Sequence, residues 1–473
     1  MTFDHDSIAL LAEALRALEP GFADLPDARA GLDRGPVREA LLAAAERMRD
    51  NYPYHHPLYV GQMLKPPHPV ARLAYALAMW INPNNHALDG GRASSAMEKE
   101  AVAQIARMFG WETHLGHLCG GGTIANFEAL WVARELRPGK AIAASTQAHY
   151  THSRLSAVLG VPFRSIGVDA RGRMDVGELE RALAGGAGAP GGDGGDGGGE
   201  IGTVVATLGT TAAGTIDPLD EILALRKRHD FRVHVDTAYG GYFTLASGLG
   251  TDARRAFDRI GDADSIAIDP HKHGLQPYGC GCILFRDPAA GRFYQHDSPY
   301  TYFSSGDMHL GEISLECSRA GAAAVALWTT MRLLPLERGG AFAQSLDACR
   351  EAALALHSAL QNDARFAPVF ASLFPPELDI VVWVVRAETA SASSARARAI
   401  FDAAAARDLH LAVATFPRAM LEPAAAIAEW DADQVVCLRA CVMKPEHREW
   451  MPEILRRLDE AAQRSTDAAS TVP

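Results

Sequence analysis

"SIAIDPHKHGLQPYGCGCILF" (Ser265–Phe285) holds two apolar, strand-like runs around a polar turn. The first run ends at Asp269 and the second begins near Gly281, with Pro270, His271, Lys272 and His273 between them. Lysine is ordinarily a solvent-facing residue. Its position just past a run with the texture of a core strand raises the question of what it does there. Outward from this stretch, similar short runs recur as AIAAS (Ala141–Ser145), TVVATL (Thr203–Leu208) and RVHVD (Arg232–Asp236). Helical patterns separate them. Near-continuous apolar strands alternating with helices predict an α/β domain with a mostly parallel sheet.

The flanks differ in texture. Ile8, Leu11, Leu15 and Leu18, then Val37, Leu41, Leu42 and Met48, follow a helical period. NYPYHHPLYVGQMLKPPHP (Asn51–Pro69) has too many prolines for a regular helix and reads as an ordered loop. VARLAYALAMW (Val70–Trp80) and SSAMEKEAVAQIARMFG (Ser94–Gly110) are helical, the latter ending at its glycine. GGAGAPGGDGGDGGG (Gly185–Gly199) carries ten glycines in fifteen residues and reads as a flexible surface insert. Beyond about residue 330 the chain is Ala-rich and helical, with strands at DIVVWVVRA near Val382 and QVVCLRACV near Leu438. The expected organisation is a helical segment and loop over 1–60, a large domain over 61–330 and a small α+β domain over 331–473.

With 473 residues, two or three domains are expected. A net charge of −12 argues against a nucleic-acid partner or an anionic membrane surface. No run is long and apolar enough to span a bilayer, and Met1–Asp6 does not open like a signal peptide. The seven cysteines are scattered; Cys280 and Cys282 are two apart on a strand and read as buried thiols. His55, His56 and His68 have no matching acid or thiol cluster, so no metal site is expected; they are surface residues or pocket candidates. A reducing cytoplasm is the expected location.

Ligands of open parallel sheets gather at the carboxyl ends of the strands. Four successive strands here end in polar groups: His149 follows the first, Thr210 and Thr211 the second, and Asp236 closes the third. His271 and Lys272 follow the fourth. Singly, His149 is a loop histidine, Asp236 a cap and Lys272 a surface lysine; together they are hard to explain by packing. CGGGTIANFEALWVAREL (Cys119–Leu136) adds three glycines directly before a helix. Such a start is either a plain glycine turn with a Thr123 cap or a phosphate site built on free amides and the helix dipole. A cofactor with a phosphate and a carbonyl carbon accounts for the whole set. Pyridoxal 5′-phosphate needs a lysine for a Schiff base, a carboxylate behind its ring nitrogen and a flat group to stack on. Lys272, Asp236, His149 and the Gly122/Thr123 helix start are the candidates.

HYTHSRLSAVLGV, VATLGTTAAGTIDPLDEI, HVDTAYGG and DPHKHG together resemble the group II pyridoxal-phosphate-dependent amino acid decarboxylases. These include the aromatic amino acid, histidine, tyrosine and glutamate enzymes. The resemblance is strong over residues 50–340 and weaker beyond. It implies the fold type I (aspartate aminotransferase-like) architecture, with helices on both faces of the sheet, and a homodimer whose active site lies at the subunit interface. By this resemblance Lys272 is the covalent anchor, Asp236 the partner of the ring nitrogen, and Ala238 and His149 pack on opposite ring faces. Thr211 lies near the phenolic oxygen, while Gly122, Thr123 and His271 hold the phosphate. Cys119, Ile124 and Asp269 depart from the commoner Thr or Ser, Glu, and Asn of the family, which blurs the subgroup.

The same resemblance places a mobile loop over His296–Arg319, where Tyr300 or Tyr302 could protonate the product carbon or simply pack. Arg439 could hold a substrate carboxylate or a structural ion pair; His273 reads as structural. The implied reaction is loss of CO2 from an L-amino acid to give an amine, with an aromatic substrate slightly favoured. The rival readings are a carbon–carbon lyase of the sphingosine-phosphate lyase type and a non-catalytic binding protein.

Overall fold

The computed structural model describes residues 4–26, 31–86, 88–185, 199–295, 314–422 and 427–470. Its main sheet has seven strands: β1 (Leu115–Cys119), β2 (Ala141–Ser145), β3 (Phe163–Ile166), β4 (Ile201–Thr207), β5 (Arg232–Asp236), β6 (Ser265–Ile268) and β7 (Gly281–Phe285). Their order is β1-β7-β6-β5-β4-β2-β3. The five strands from β3 to β6 run parallel, and β7 is antiparallel to both β6 and β1. The expected mostly parallel sheet is present. Every residue of β2, β4, β6 and β7 is buried, which is why these segments read as unbroken apolar runs. Val204, Val233, Val235 and Ile266 face one core. Val205, Ala267 and Ile283 face the cores on the opposite side, so helices cover both faces.

The α helices preceding and interrupting the sheet are α1 (Ser7–Leu18), α2 (Arg34–Met48), α3 (Pro69–Met79), α4 (Leu88–Met108), α5 (Gly122–Leu136), α6 (Thr151–Leu159), α7 (Val176–Ala184), α8 (Leu219–Leu225) and α9 (Thr251–Phe257). Pro69 opens α3, where a missing amide costs nothing, and His68 Nδ1 accepts the Val70 amide at 3.2 Å. Gly110, past the end of α4, takes φ +86°, the left-handed setting expected of a terminating glycine. No residue of α1 or α2 is buried in this chain.

The C-terminal strands are β8 (Phe370–Ser372), β9 (Ile380–Val385), β10 (Ala387–Thr389), β11 (Ala412–Pro417), β12 (Ile427–Glu429) and β13 (Gln434–Cys441). Four of them form an antiparallel sheet in the order β11-β13-β9-β8. The helices Ala341–Asn362, Ala390–Ala405 and His447–Ser470 cover one face of it, and Val382, Val384 and Cys437 on the other join the main core. Leu58 and Val60 also pack into the small core, and Val60 bonds to both His410 and Cys441. The end of the Pro-rich loop is thus a strap on the C-terminal unit. Most of the Gly-rich insert lies outside the described residues.

Candidate active site

The parallel strands bring their carboxyl ends together around one cavity of about 480 Å³. Asp236, Ala238, His271 and Lys272 line it from the ends of β5 and β6. Gly122, Thr123, His149 and Thr211 line it from the start of α5 and the loops after β2 and β4. Eight sequence-predicted residues therefore meet at one place. Tyr300 and Tyr302 lie outside the described residues. Arg439 does not reach the cavity lining. It is 3% exposed, and its guanidinium donates to the carbonyls of Thr211 (2.8 Å) and Ala212 (3.0 Å) and to Gln62 (3.2 Å). Its place is behind the Thr211 turn, which it ties to the small domain. His55 and His68 line a different cavity, and His273 is buried beside Asp379 at 3.2 Å.

Asp236 sits in a network that the sequence did not disclose. Its Oδ1 accepts the Ala238 amide (3.0 Å), and its Oδ2 accepts from His152 Nε2 (2.9 Å) and Asn126 Nδ2 (3.2 Å). Burial by itself would raise this carboxyl, but the His152 hydrogen bond and charge, with the Ala238 amide, hold it well below the usual carboxylate range. The anion is therefore fixed and buried, as a partner for a protonated ring nitrogen must be. Asn126 is oriented in turn by His234, whose Nε2 lies 2.8 Å from Asn126 Oδ1 and whose Nδ1 meets Ser265 Oγ at 2.9 Å. Burial lowers His234 to about 3, so it stays neutral. His234 lies two residues before Asp236, on the same side of β5. His152 lies one turn beyond His149. Those spacings are the signals that could have found them.

Lys272 Nζ lies 3.1 Å from Asp269 Oδ2, and His271 Nε2 lies 3.5 Å from the same oxygen. His271 Nδ1 meets the Cys280 carbonyl at 2.9 Å, which places its proton there. Burial lowers both His149 and His271, so both imidazoles favour the neutral form. His149 Nδ1 is held by the Thr151 hydroxyl at 2.9 Å, and its ring lies 4.5 Å from that of Tyr150.

The glycine turn before α5 is open where a ligand anion would sit. Gly121, the residue before the helix, takes φ +149° and supplies no side-chain cap. The Ile124 and Ala125 amides reach the Gly121 carbonyl at 2.9 and 3.0 Å, while those of Gly122 and Thr123 have no carbonyl of their own helix to bond. A Cβ at Gly122 would come within 2.9 Å of Asp269 Oδ2 and 3.1 Å of the Ala238 methyl, so this floor admits only glycine without rearrangement. An uncapped helix start, a methyl wall at Ala238, an imidazole at His149, a fixed carboxylate and a lysine amine suit the phosphate, ring faces, ring nitrogen and aldehyde of pyridoxal phosphate. The residues present fit that group.

Comparison with known proteins agrees. The pyridoxal-dependent decarboxylase conserved domain matches residues 55–383. An L-tyrosine decarboxylase of Enterococcus faecium is 29% identical, covering 79% of this chain and 76% of that protein. A cysteine sulfinic acid decarboxylase of Rattus norvegicus is 28% identical, covering 74% and 72%. The crystal structure of Oryza sativa TDC with PLP and tryptamine superposes with a TM-score of 0.73 at 17% identity over 96% of each chain, a likeness of fold. With the lysine, the buried carboxylate and the open helix start in one cavity, the chain belongs to the pyridoxal-dependent decarboxylase family, as a pyridoxal-phosphate-dependent carboxy-lyase acting on an amino acid.

Proposed function

We propose that this enzyme decarboxylates a neutral, aromatic L-amino acid. The observation that carries the reading is the charge of the cavity wall. Among the described lining residues the sole lysine or arginine is Lys272, already assigned to the cofactor. A carboxylate or sulfinate side chain would find no second fixed cation there. Ile124, Tyr150 and Tyr278 supply apolar and aromatic surface instead, and Tyr150 and Tyr278 stand 68% and 60% exposed, at the mouth.

Bound pyridoxal phosphate supplies the electron sink for the pair left when CO2 departs. The chain supplies the rest. Lys272 would hold the cofactor through its side-chain amine. Asp236 keeps a proton on the ring nitrogen, because its own anion is stabilised by His152, Asn126 and the Ala238 amide. His149 and Ala238 hold the ring plane, and the Gly121–Thr123 amides bind the phosphate. Arg439 positions the Thr211 turn from behind. We also read the enzyme as a cytoplasmic homodimer. No residue of α1 or α2 is fully buried in its own chain, and Leu41, Met48 and Trp80 are 66%, 68% and 64% exposed, a surface suited to a second copy. Among the described residues no helix is long and apolar enough to cross a membrane.

The test is CO2 release by the cofactor-loaded enzyme from tyrosine, tryptophan, phenylalanine, aspartate, cysteine sulfinate and diamino acids. The aromatic substrates are expected to have the highest kcat/KM. Faster turnover of aspartate or cysteine sulfinate would overturn the assignment.

A further inference from the structure

Asp269 enters none of the roles above, yet it lies closer to the reacting amine than any other carboxylate described. It follows β6 directly, is 3% exposed and lines the Lys272 cavity. The turn that carries it is closed by the Lys272 amide on the Asp269 carbonyl (2.9 Å) and by the Gln276 amide on the Pro270 carbonyl (3.1 Å). That turn sets the carboxylate and the amine on the same side, with Oδ2 3.1 Å from Lys272 Nζ. Asp269 Oδ1 is buried and has no hydrogen-bond partner. A pair kept only for stability has no reason to leave one buried carboxylate oxygen unmet.

We propose that Asp269 is the proton partner of Lys272, taking the ammonium proton when the lysine joins the cofactor and returning it when substrate displaces the lysine. The proposal rests on the reading of Lys272 as the anchor. An ammonium has no lone pair and cannot attack a carbonyl carbon. In the forward step one proton passes from Nζ to the Asp269 carboxylate, leaving an amine and a carboxylic acid. The nitrogen lone pair then forms the bond to the aldehyde carbon, and the aldehyde oxygen leaves as water with the amine's two remaining protons. In the return step the carboxylic acid gives its proton to the departing lysine amine.

Among the described residues no other ionisable group of the cavity forms an ion pair with Lys272. Asp236, from β5, has both oxygens occupied by His152, Asn126 and the Ala238 amide. His149, from the loop before α6, has Nδ1 held by Thr151. His271, on the same turn, spends Nδ1 on the Cys280 carbonyl and turns Nε2 toward Asp269 itself. Tyr278 lies at the mouth, its ring 5.0 Å from that of His271. Among the described residues Asp269 alone combines contact with the amine and an unoccupied oxygen.

The test follows cofactor attachment rather than turnover. Full-length protein freed of cofactor is mixed with pyridoxal phosphate between pH 6 and 9. The rate of yellow absorbance is recorded, and the borohydride-reduced product is mapped to Lys272. In Asp269→Asn the ammonium must lose its proton to solvent. The rate at pH 7 is expected to fall about a hundredfold, the scale of one general base. In Asp269→Ala, verified as folded by circular dichroism, added formate is expected to restore the rate. A rate within twofold of wild type in Asp269→Asn, or folded Asp269→Ala indifferent to formate, would overturn the proposal. Failure of wild type to label at Lys272 would overturn the anchor assignment instead.

Discussion

Replacing His152 with leucine isolates the support beneath Asp236. His152 is fully buried, and its Nε2 donates to Asp236 Oδ2 at 2.9 Å. Without it the carboxylate keeps the Ala238 amide at 3.0 Å and Asn126 at 3.2 Å. A hydrogen bond to a charged group contributes roughly 1.5–3 kcal/mol. The variant also removes His152 Nδ1, a buried nitrogen without a partner, which offsets part of the loss. The net cost to the cofactor-free protein is then about 1–2 kcal/mol at pH 7. Asp236 is a depressed carboxyl, so its contribution is present above the ordinary carboxylate range and fades as pH falls through the folded-state value. In His152→Leu that fading begins about one pH unit higher, at 1.36 kcal/mol per unit. On the proposed role of Asp236, pyridoxal phosphate would bring a ring N–H to the same carboxylate and replace part of what was lost. Urea unfolding with and without cofactor is therefore expected to show a wider gap between the two midpoints in the variant than in wild type. Equal losses in both forms, or no loss, would refute the view that His152 acts through Asp236.

Two further outcomes follow from local geometry. Gly122→Ala puts a methyl 2.9 Å from Asp269 Oδ2 and 3.1 Å from Ala238, so cofactor affinity should fall at least about tenfold, near 1.4 kcal/mol, in a fluorescence titration; unchanged affinity would contradict the floor assigned to this glycine. Burial raises Asp217 to about 7, outweighing the amides of Thr207 and Met174 that it accepts. Between pH 4 and 7 the folded state holds a proton that the unfolded chain has lost, so stability should decline with rising pH, by up to about 4 kcal/mol from this group. Denaturation midpoints of wild type and Asp217→Asn across that range would show it, the variant's curve being flatter.

Most of the chemistry was legible because it is written locally. A parallel strand buried on both faces must be a short apolar run, and the residues just past it must lie at the sheet's carboxyl edge. That reasoning placed His149, Thr211, Asp236 and Lys272 without coordinates, and Gly122 and Thr123 likewise open their helix. β1 and β3 were missed: LGHLC mixes glycine and histidine into its run, and FRSI is a four-residue edge strand with two adjacent polar residues, Arg164 and Ser165. Both take their strand form from neighbours rather than from their own pattern.

What the sequence determined by itself was the set of strand ends, the glycine-opened helix and, through their combination, a pyridoxal phosphate cofactor. What only the tertiary structure decided was which side chains touch. His149 and His152 are one helical turn apart, and folding sends one to the cavity and the other to Asp236, 84 residues further along the chain. Arg439 could be a substrate ligand on paper, but the antiparallel pairing of β13 with β9 and β11 carries it behind Thr211, where two carbonyls and Gln62 take up its guanidinium. Periodicity encodes which face of an element is buried. The partner on that face is set by the packing of distant segments, and no local pattern carries it.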